Sequence, residues 1–543
     1  MKRKLLSMML VLAVAGTLVG CGGKKAEETA SVTDTQISEE TEETKETKEL
    51  QPAAVQELVI GEGEDMGGYD PMSNMNPFTI RALVFDTLIK LDYDYTKTPG
   101  LATEWKMSDD GKTWTFKLRE GVKFHDGEPW NAEAAKFNWD ERLAAAQDGA
   151  SGFMAQIESM ETPEEYTFVV NFKVPMFTFA SEITAPMYSF ISPKAFNENH
   201  EVAGAVGTGP FKFESWTKDS EIVLTSNDEY YAGAPKLDKL TFKIIPDSNA
   251  RALALESGEI DMMSGRSALT SLETLKKKDN IQVLKTMGQT SVFVLMNTKD
   301  EVLSDIYLRE ALACAVDFKS AVPALLSDLA EPAQNLFSPV FGEYVDSSVQ
   351  LPEYNAEKAA ELLKKAGYED TDGDGFVDKN GKKLTLDITV ASNNEEDKAL
   401  CSIMQEQLKG AGIDLTITAL DSSALKETTV SGDYQLTLQG QNYVPNDDPT
   451  INYAGYWHSD SYYHVYTDET LDGMIEQLRA SLDSEERIEL HKEIQKYILD
   501  KTPVIMVFHR NNVILADKKV ADFQVAAGTW QLYKGLEKAR VME

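Results

Sequence analysis

Two periodicities alternate along most of this chain, and a fold built from one kind of element cannot satisfy both. In residues 113–118, Trp114, Phe116 and Leu118 alternate with Thr113, Thr115 and Lys117, the period of a strand with one buried face. Residues 165–172 repeat that pattern. Leu58-Val59-Ile60 and residues 384–390, led in by Gly381-Lys382-Lys383, are further strands. Between them the period lengthens. Asn355 is the expected N-cap of a helix over 356–366, and Gly367 stands at its expected stop. Residues 395–409 bring Leu400, Ile403, Met404 and Leu408 to one helical face. Asp483, with Glu486 three residues on, predicts a capping box for a helix to about Leu499, whose buried stripe is Leu490, Ile494, Tyr497 and Ile498. Strands and helices interleave throughout, so the class is α/β. A chain of 543 residues builds several cores of this kind without disulfide support.

The first residues carry a different message. Lys2, Arg3 and Lys4 precede an apolar run over 5–19, broken only by Ser7, Gly16 and Thr17. That run falls short of the ~20 apolar residues a spanning helix needs, and it reads as a secretory signal over 1–20. It ends Leu18-Val19-Gly20-Cys21, which looks like a bacterial lipobox. Cleavage before Cys21, with lipid on its thiol, is expected. Residues 21–56 are rich in Thr, Glu, Lys and Ser, and cannot bury enough apolar surface to offset the entropy of ordering them. They form a tether between a membrane anchor and a body that starts near Glu57. No later apolar run reaches spanning length, so the lipid is the expected sole attachment, at the outer face of the cell membrane.

Charge narrows the partners. Lys plus Arg total 53 against 89 Asp plus Glu, a formal net charge of −36. Nucleic acid is excluded, because phosphate binding needs a basic face. Beyond Cys21, Cys314 and Cys401 sit in helix-like segments with no metal or redox spacing, as two small buried apolar residues. The six histidines, His125, His200, His458, His464, His491 and His509, make no HExxH arrangement, and neither GxSxG nor a Walker A sequence occurs. Residues 204–209 are glycine-rich but lead into Pro210 and a strand-like segment, so they read as a backbone turn. Asp370, Asp372, Asp374 and Asp378 occupy positions 1, 3, 5 and 9 of a calcium-type loop, with Gly375 at 6. The twelfth position is Gly381 rather than a bidentate Glu, and a strand follows. A solvated Asp/Gly turn is the plainer reading, with Ca(II) the alternative.

Several blocks together resemble the large extracytoplasmic solute-binding proteins of ABC importers, the peptide/nickel family (family 5). They are Leu101-Ala102-Thr103-Glu104-Trp105, Asp110-Gly111-Lys112-Thr113-Trp114-Thr115-Phe116, Gly121-Val122-Lys123-Phe124-His125-Asp126-Gly127-Glu128-Pro129, Gly207-Thr208-Gly209-Pro210-Phe211, Gly258-Glu259-Ile260-Asp261, and Asn297-Thr298 with Leu308-Arg309-Glu310-Ala311-Leu312 downstream. The resemblance implies a two-lobed periplasmic-binding-protein-like fold with an extra subdomain in lobe I and a hinge between lobes. Lobe I would be 57–295 plus 506–543, with an insert of about 86–204. Lobe II would be 297–503. The chain would cross near 296–298 and 503–505. The implied function is a monomeric, non-enzymatic receptor that captures a small peptide or nickel chelate outside the cell and delivers it to a membrane permease. The alternatives are a lipid-anchored surface protein without a transport role, or an extracellular enzyme.

The same resemblance implies site residues. In peptide-binding members an Asp four residues before a Pro meets the peptide's N-terminal amine. Here Pro445 takes that place before Pro449, which leaves Asp447 or Asp448 as the substitute. Tyr443 stands where nickel-type members place an aromatic wall. Those members supply a histidine to the chelated Ni(II) from a stretch that here contains Trp457, His458, Tyr463 and His464. Imidazole suits Ni(II), which makes His458 and His464 the expected metal ligands. Phe78 is a further expected wall. The paired arginines that some nickel members use for chelator carboxylates do not occur in 144–155 or 186–192.

Overall fold

The computed structural model describes residues 51–543 apart from 73–74, 76–77, 147–151, 442–446, 462–465, 467 and 529–530. Cys21 and residues 22–50 of the expected tether lie outside the described residues, as do Tyr443, Tyr463 and His464. Residues 51–56, expected in the tether, belong to the body instead: Gln51 and Ala53 pair with Glu543 and Val541 at the C-terminus, which satisfies their backbone groups. Phe78 is described in its backbone, as the first residue of a helix Phe78–Val84. Among the described residues no helix is long and apolar enough to cross a membrane.

The expected interleaving is present. Strands β1 (Glu57–Glu62), β2 (Phe211–Thr217), β3 (Glu221–Ser226), β4 (Lys239–Ile244), β5 (Met262–Ser264) and β6 (Ile281–Met296) precede β7 (Ala330–Pro332), β8 (Thr385–Ala391), β9 (Asp414–Leu420), β10 (Leu436–Gln441) and β11 (Val504–Asp517). They make one eleven-stranded mixed sheet in the order β9-β8-β10-β6-β11-β5-β1-β4-β3-β2, with β7 added on β11. β6 and β11 run antiparallel along nearly their whole length, from Ile281 opposite Asp517 to Leu295 opposite Val504. Their apolar runs, such as Val292 to Met296, are buried throughout, as strands covered on both faces require.

This pair joins the two lobes. One end of it pairs with β5, and so with β1, β4, β3 and β2. The other pairs with β10 and β7. Between Met287 and Ser291 the pairing lapses. Gly288 lies there, where a Cβ would stand 2.8 Å from the Arg510 carbonyl oxygen, and its own carbonyl accepts from Ser338 Oγ at 2.6 Å.

Asn355 caps helix Ala356–Lys365 by accepting from the Lys358 N–H, and Gly367 follows at φ +88°. Helix Glu395–Gly410 buries Leu400, Cys401, Met404 and Leu408, while Ile403 is half-buried. The strand expected over 165–172 is Thr167–Phe172, because Glu165 and Tyr166 form the turn before it. Asp483 accepts from the Glu486 N–H, but the Glu486 carboxylate turns to Ser481 Oγ at 2.6 Å, so the box is only half formed.

A second sheet, antiparallel, stacks Ala102–Met107, Thr113–Leu118, Thr167–Phe172 and Ile157–Glu164 in that order. Helix Ala132–Ala146 packs on it, around a core of Trp114, Phe116, Trp130, Trp139, Phe168 and Phe179. The Gly207–Gly209 turn fits against the end of helix Phe78–Val84. A Cβ on Gly207 would lie 2.0 Å from the Val84 carbonyl oxygen, and one on Gly209 2.6 Å from that of Leu83. His125 closes this join: its N–H donates to Gly207 O, and its Nε2 lies 3.0 Å from Gly209 O. Burial lowers its pKa to about 4, so it is a neutral structural imidazole. Cys314 and Cys401 are buried free thiols.

Candidate functional site

The second sheet and its flanking loops do not stay with their own lobe; they touch the other one. Lys97, in the short strand Lys97–Pro99, places Nζ 2.5 Å from Asp447 Oδ2 and 3.0 Å from Ser181 Oγ. The Phe177 ring lies beneath the Arg487 guanidinium, 4.2 Å from its centroid to Cζ. A Cβ on Gly111 would stand 2.7 Å from Leu482. Tyr95 meets Phe341 with ring centroids 6.4 Å apart. The cleft between the lobes is therefore roofed by these contacts, and the protein stands in a closed arrangement.

Beneath the Lys97–Asp447 pair is a buried polar network. Asp448 is 2% exposed. Its Oδ2 accepts from Arg487 Nη2 at 2.8 Å, and its Oδ1 accepts from Thr450 N and Oγ1 and lies 3.3 Å from His491 Nε2. Burial opposes its charge, but His491 and Arg487 outweigh burial and hold the carboxyl well below the usual range. Glu182, also buried, accepts from Thr178 Oγ1 at 2.6 Å, its one side-chain donor among the described residues. Burial first, with Asp448 adding to it, pushes its pKa up to about 7.

A second charged group straddles the lapse in the sheet. Arg510 of β11 makes a two-point contact with Glu396, Nη2 to Oε1 at 2.5 Å and Nη1 to Oε2 at 3.1 Å. Glu396 and Asp397 open helix Glu395–Gly410, and Arg266 approaches from the turn Gly265–Ala268 after β5. Arg510 is the first cause that lowers the Arg266 pKa, and burial raises that of Asp397 to about 6.

Of the residues the sequence singles out, Asp447 is brought to the cleft. Asp448 is not available to a ligand, because its oxygens are enclosed and engaged by Arg487, Thr450 and His491; it is a framework group. Trp457 is 0% exposed and packs with Phe293, centroids 6.2 Å apart, so it is core rather than wall. His458 has its Nδ1 accepting from Asp460 N at 3.1 Å and its Nε2 3.1 Å from the Glu476 carboxylate. Both nitrogens are engaged within its own lobe, so it is not poised as a cleft metal ligand. Asp370, Asp372 and Asp374 converge, with oxygens within 4.8 Å of one another, all exposed. Asp378 turns instead to Thr371, whose Oγ1 donates at 2.5 Å, and a two-stranded hairpin follows rather than a helix.

Sequence reasoning missed Lys97, Glu182, Arg487 and His491. Arg487 and His491 carried a signal: they are four residues apart and share the buried face of Leu490 and Ile494. Polar groups on that stripe must pair with one another. Arg142, two residues before the 144–155 stretch, is also buried, stacked on Trp139 and Phe190. Lys97 had no local signal, since its partner is 350 residues away.

Two lobes bridged by a long strand pair, and a cleft roofed by an added subdomain, define a solute-binding receptor. The family model for bacterial extracellular solute-binding proteins, family 5, matches residues 96–463, and the chain belongs to that family. It is 27% identical to the oligopeptide-binding protein AppA of Bacillus subtilis over 523 residues, covering 94% of this chain and 93% of that one. It is 30% identical to the nickel-binding periplasmic protein of Escherichia coli over 383 residues, 69% of this chain and 73% of that one. Among solved structures it resembles NikA from Brucella suis in complex with Fe(III)-EDTA, with a TM-score of 0.83 and 25% identity over 89% of this chain and 99% of that one.

Proposed function

We propose that this protein is the receptor component of an ABC importer, enclosing a small peptide or a nickel chelate outside the cell and handing it to a membrane permease, without chemistry of its own. The observation that carries the reading is the cross-lobe contact of Lys97 with Asp447, in the segment where the family resemblance puts ligand recognition. Cargo of both kinds is named among the relatives: a nonapeptide in the solved structure of AppA, and Ni(L-His) in that of NikZ from Campylobacter jejuni. Lobe I comprises residues 57–287 plus 511–543, with the insert over about 86–204, and lobe II comprises 291–509. The lapse in pairing at 288–290 supports a hinge there, inward of the crossings expected at 296–298 and 503–505. Tyr443, Phe78, Tyr463 and His464 remain the proposed cleft walls and metal ligand. The Asp370–Asp374 group is a solvated turn, its oxygens accepting from the loop's own N–H groups at Gly373 and Gly375.

The receptor is held at the membrane by lipid on Cys21, as a monomer. Cys21→Ser should move the folded protein from the membrane fraction to the soluble fraction; retention in the membrane contradicts the anchor. The transport reading is tested by titrating Ni(II)–histidine and a mixed peptide pool while following melting. Occupancy at a hundredfold excess over Kd adds about 2.7 kcal/mol of stability. A melting temperature that neither probe moves contradicts it.

A further inference from the structure

We propose that Lys97 is a built-in occupant of the ammonium position at Asp447, so that the ligand group facing this carboxylate is a neutral N–H or O–H donor rather than a free amine. The inference rests on the receptor reading above. Lys97 reaches Asp447 from the opposite lobe, with side chains 29% and 20% exposed, and its Nζ lies 2.5 Å from Oδ2. Ser181 Oγ steadies the ammonium at 3.0 Å. The other carboxylate oxygen, Oδ1, is buried and has no hydrogen-bond partner among the described residues.

A desolvated carboxylate oxygen without a donor is costly, so Oδ1 is a vacancy for one more hydrogen bond. Charge decides which donor fills it. The lysine already neutralises Asp447. A second ammonium would leave an excess positive charge a few ångströms from Lys97 in a partly desolvated site, where like charges repel more than they do in water. An amide N–H, a hydroxyl or a metal-bound amine whose lone pair is already donated satisfies Oδ1 without that excess. The chemical class is thus an N-blocked or metal-chelated ligand, and Lys97 is the residue that sets the preference.

Three probes on the full-length protein test this: a mixed peptide pool, the same pool N-acetylated, and Ni(II)–histidine. The parent should bind the acetylated pool at least as tightly as the free-amine pool. Lys97→Met should expose both Asp447 oxygens, so that the free-amine pool gains about tenfold, or 1.4 kcal/mol, while the acetylated pool does not gain. Lys97→Gln, which keeps a donor without the charge, should shift preference the same way. Ni(II)–histidine should show no such gain with either variant. A parent that prefers free amines, with both variants losing affinity for both pools alike, overturns the role of Lys97 and leaves the receptor reading standing. A complete lack of binding by parent and variants overturns both.

Discussion

At the scale of single residues, two buried carboxylates near the lobe contact behave oppositely. Asp448 is held charged by Arg487 and His491, whereas Glu182 has a single hydroxyl partner and faces another acid. Removing one member of a buried ion pair leaves the other uncompensated, so Arg487→Met should destabilise the protein by about 3–5 kcal/mol in chemical denaturation. A change below 1 kcal/mol would mean that Asp448 finds another partner. Glu182 has a pKa raised from 4.5 to about 7, so its charged form is penalised in the folded protein. The stability it contributes is whole below pH 4.5 and declines as pH rises to about 7, by about 3 kcal/mol at about 1.4 kcal/mol per pK unit. Glu182→Gln should remove that slope: the parent should lose melting temperature relative to the variant between pH 5 and pH 8. Parallel profiles would contradict the assignment. Asp448 works with the other sign, contributing stability above about pH 4 that fades as the solution becomes more acid.

At the scale of elements, the legible features were those written in local spacing. Alternation over 113–118, the caps at Asn355 and Asp483, and the apolar stripe of Leu490, Ile494 and Ile498 are each set by neighbours a few positions away, and each is present, with Tyr497 of the expected stripe only half-buried because its hydroxyl donates to Asp468. The site was less legible because its pairings are long-range. Aromatic density drew attention to Trp457 and His458, yet Trp457 fills the core behind β6, and His458 is used up by Asp460 and Glu476. Tyrosine, tryptophan and histidine serve cores as readily as clefts, and composition does not separate the two uses. Glycine was more informative. The Gly207–Gly209 turn has glycines because the end of helix Phe78–Val84 approaches too closely for a side chain. Gly209→Ala should therefore cost about 1–3 kcal/mol through forced backbone displacement. His125 donates from its backbone N–H and its Nε2 to the carbonyls of the same turn, so amide exchange at residues 124–127 should speed up along with that loss. An unchanged melting temperature would show that the turn has slack.

At the scale of the whole molecule, the long pair β6–β11 gives the lobes one continuous mechanical link, and the lapse at Gly288 to Thr290 gives that link a place to bend. The contacts that close the cleft, Lys97 with Asp447 and Phe177 with Arg487, join the lobes outside this strand pair, so rotation at the bend would separate them. A hinge closes by as much as ligand favours the closed form, so ligand should raise the population in which these contacts are made. The most direct measurement is small-angle scattering of the purified protein without ligand and then saturated with the cargo that raises its melting temperature. The radius of gyration should fall on saturation, and Lys97→Met in the ligand-free state should scatter as open or more open than the parent. An unchanged radius of gyration with ligand bound would contradict closure of two lobes around a captured solute.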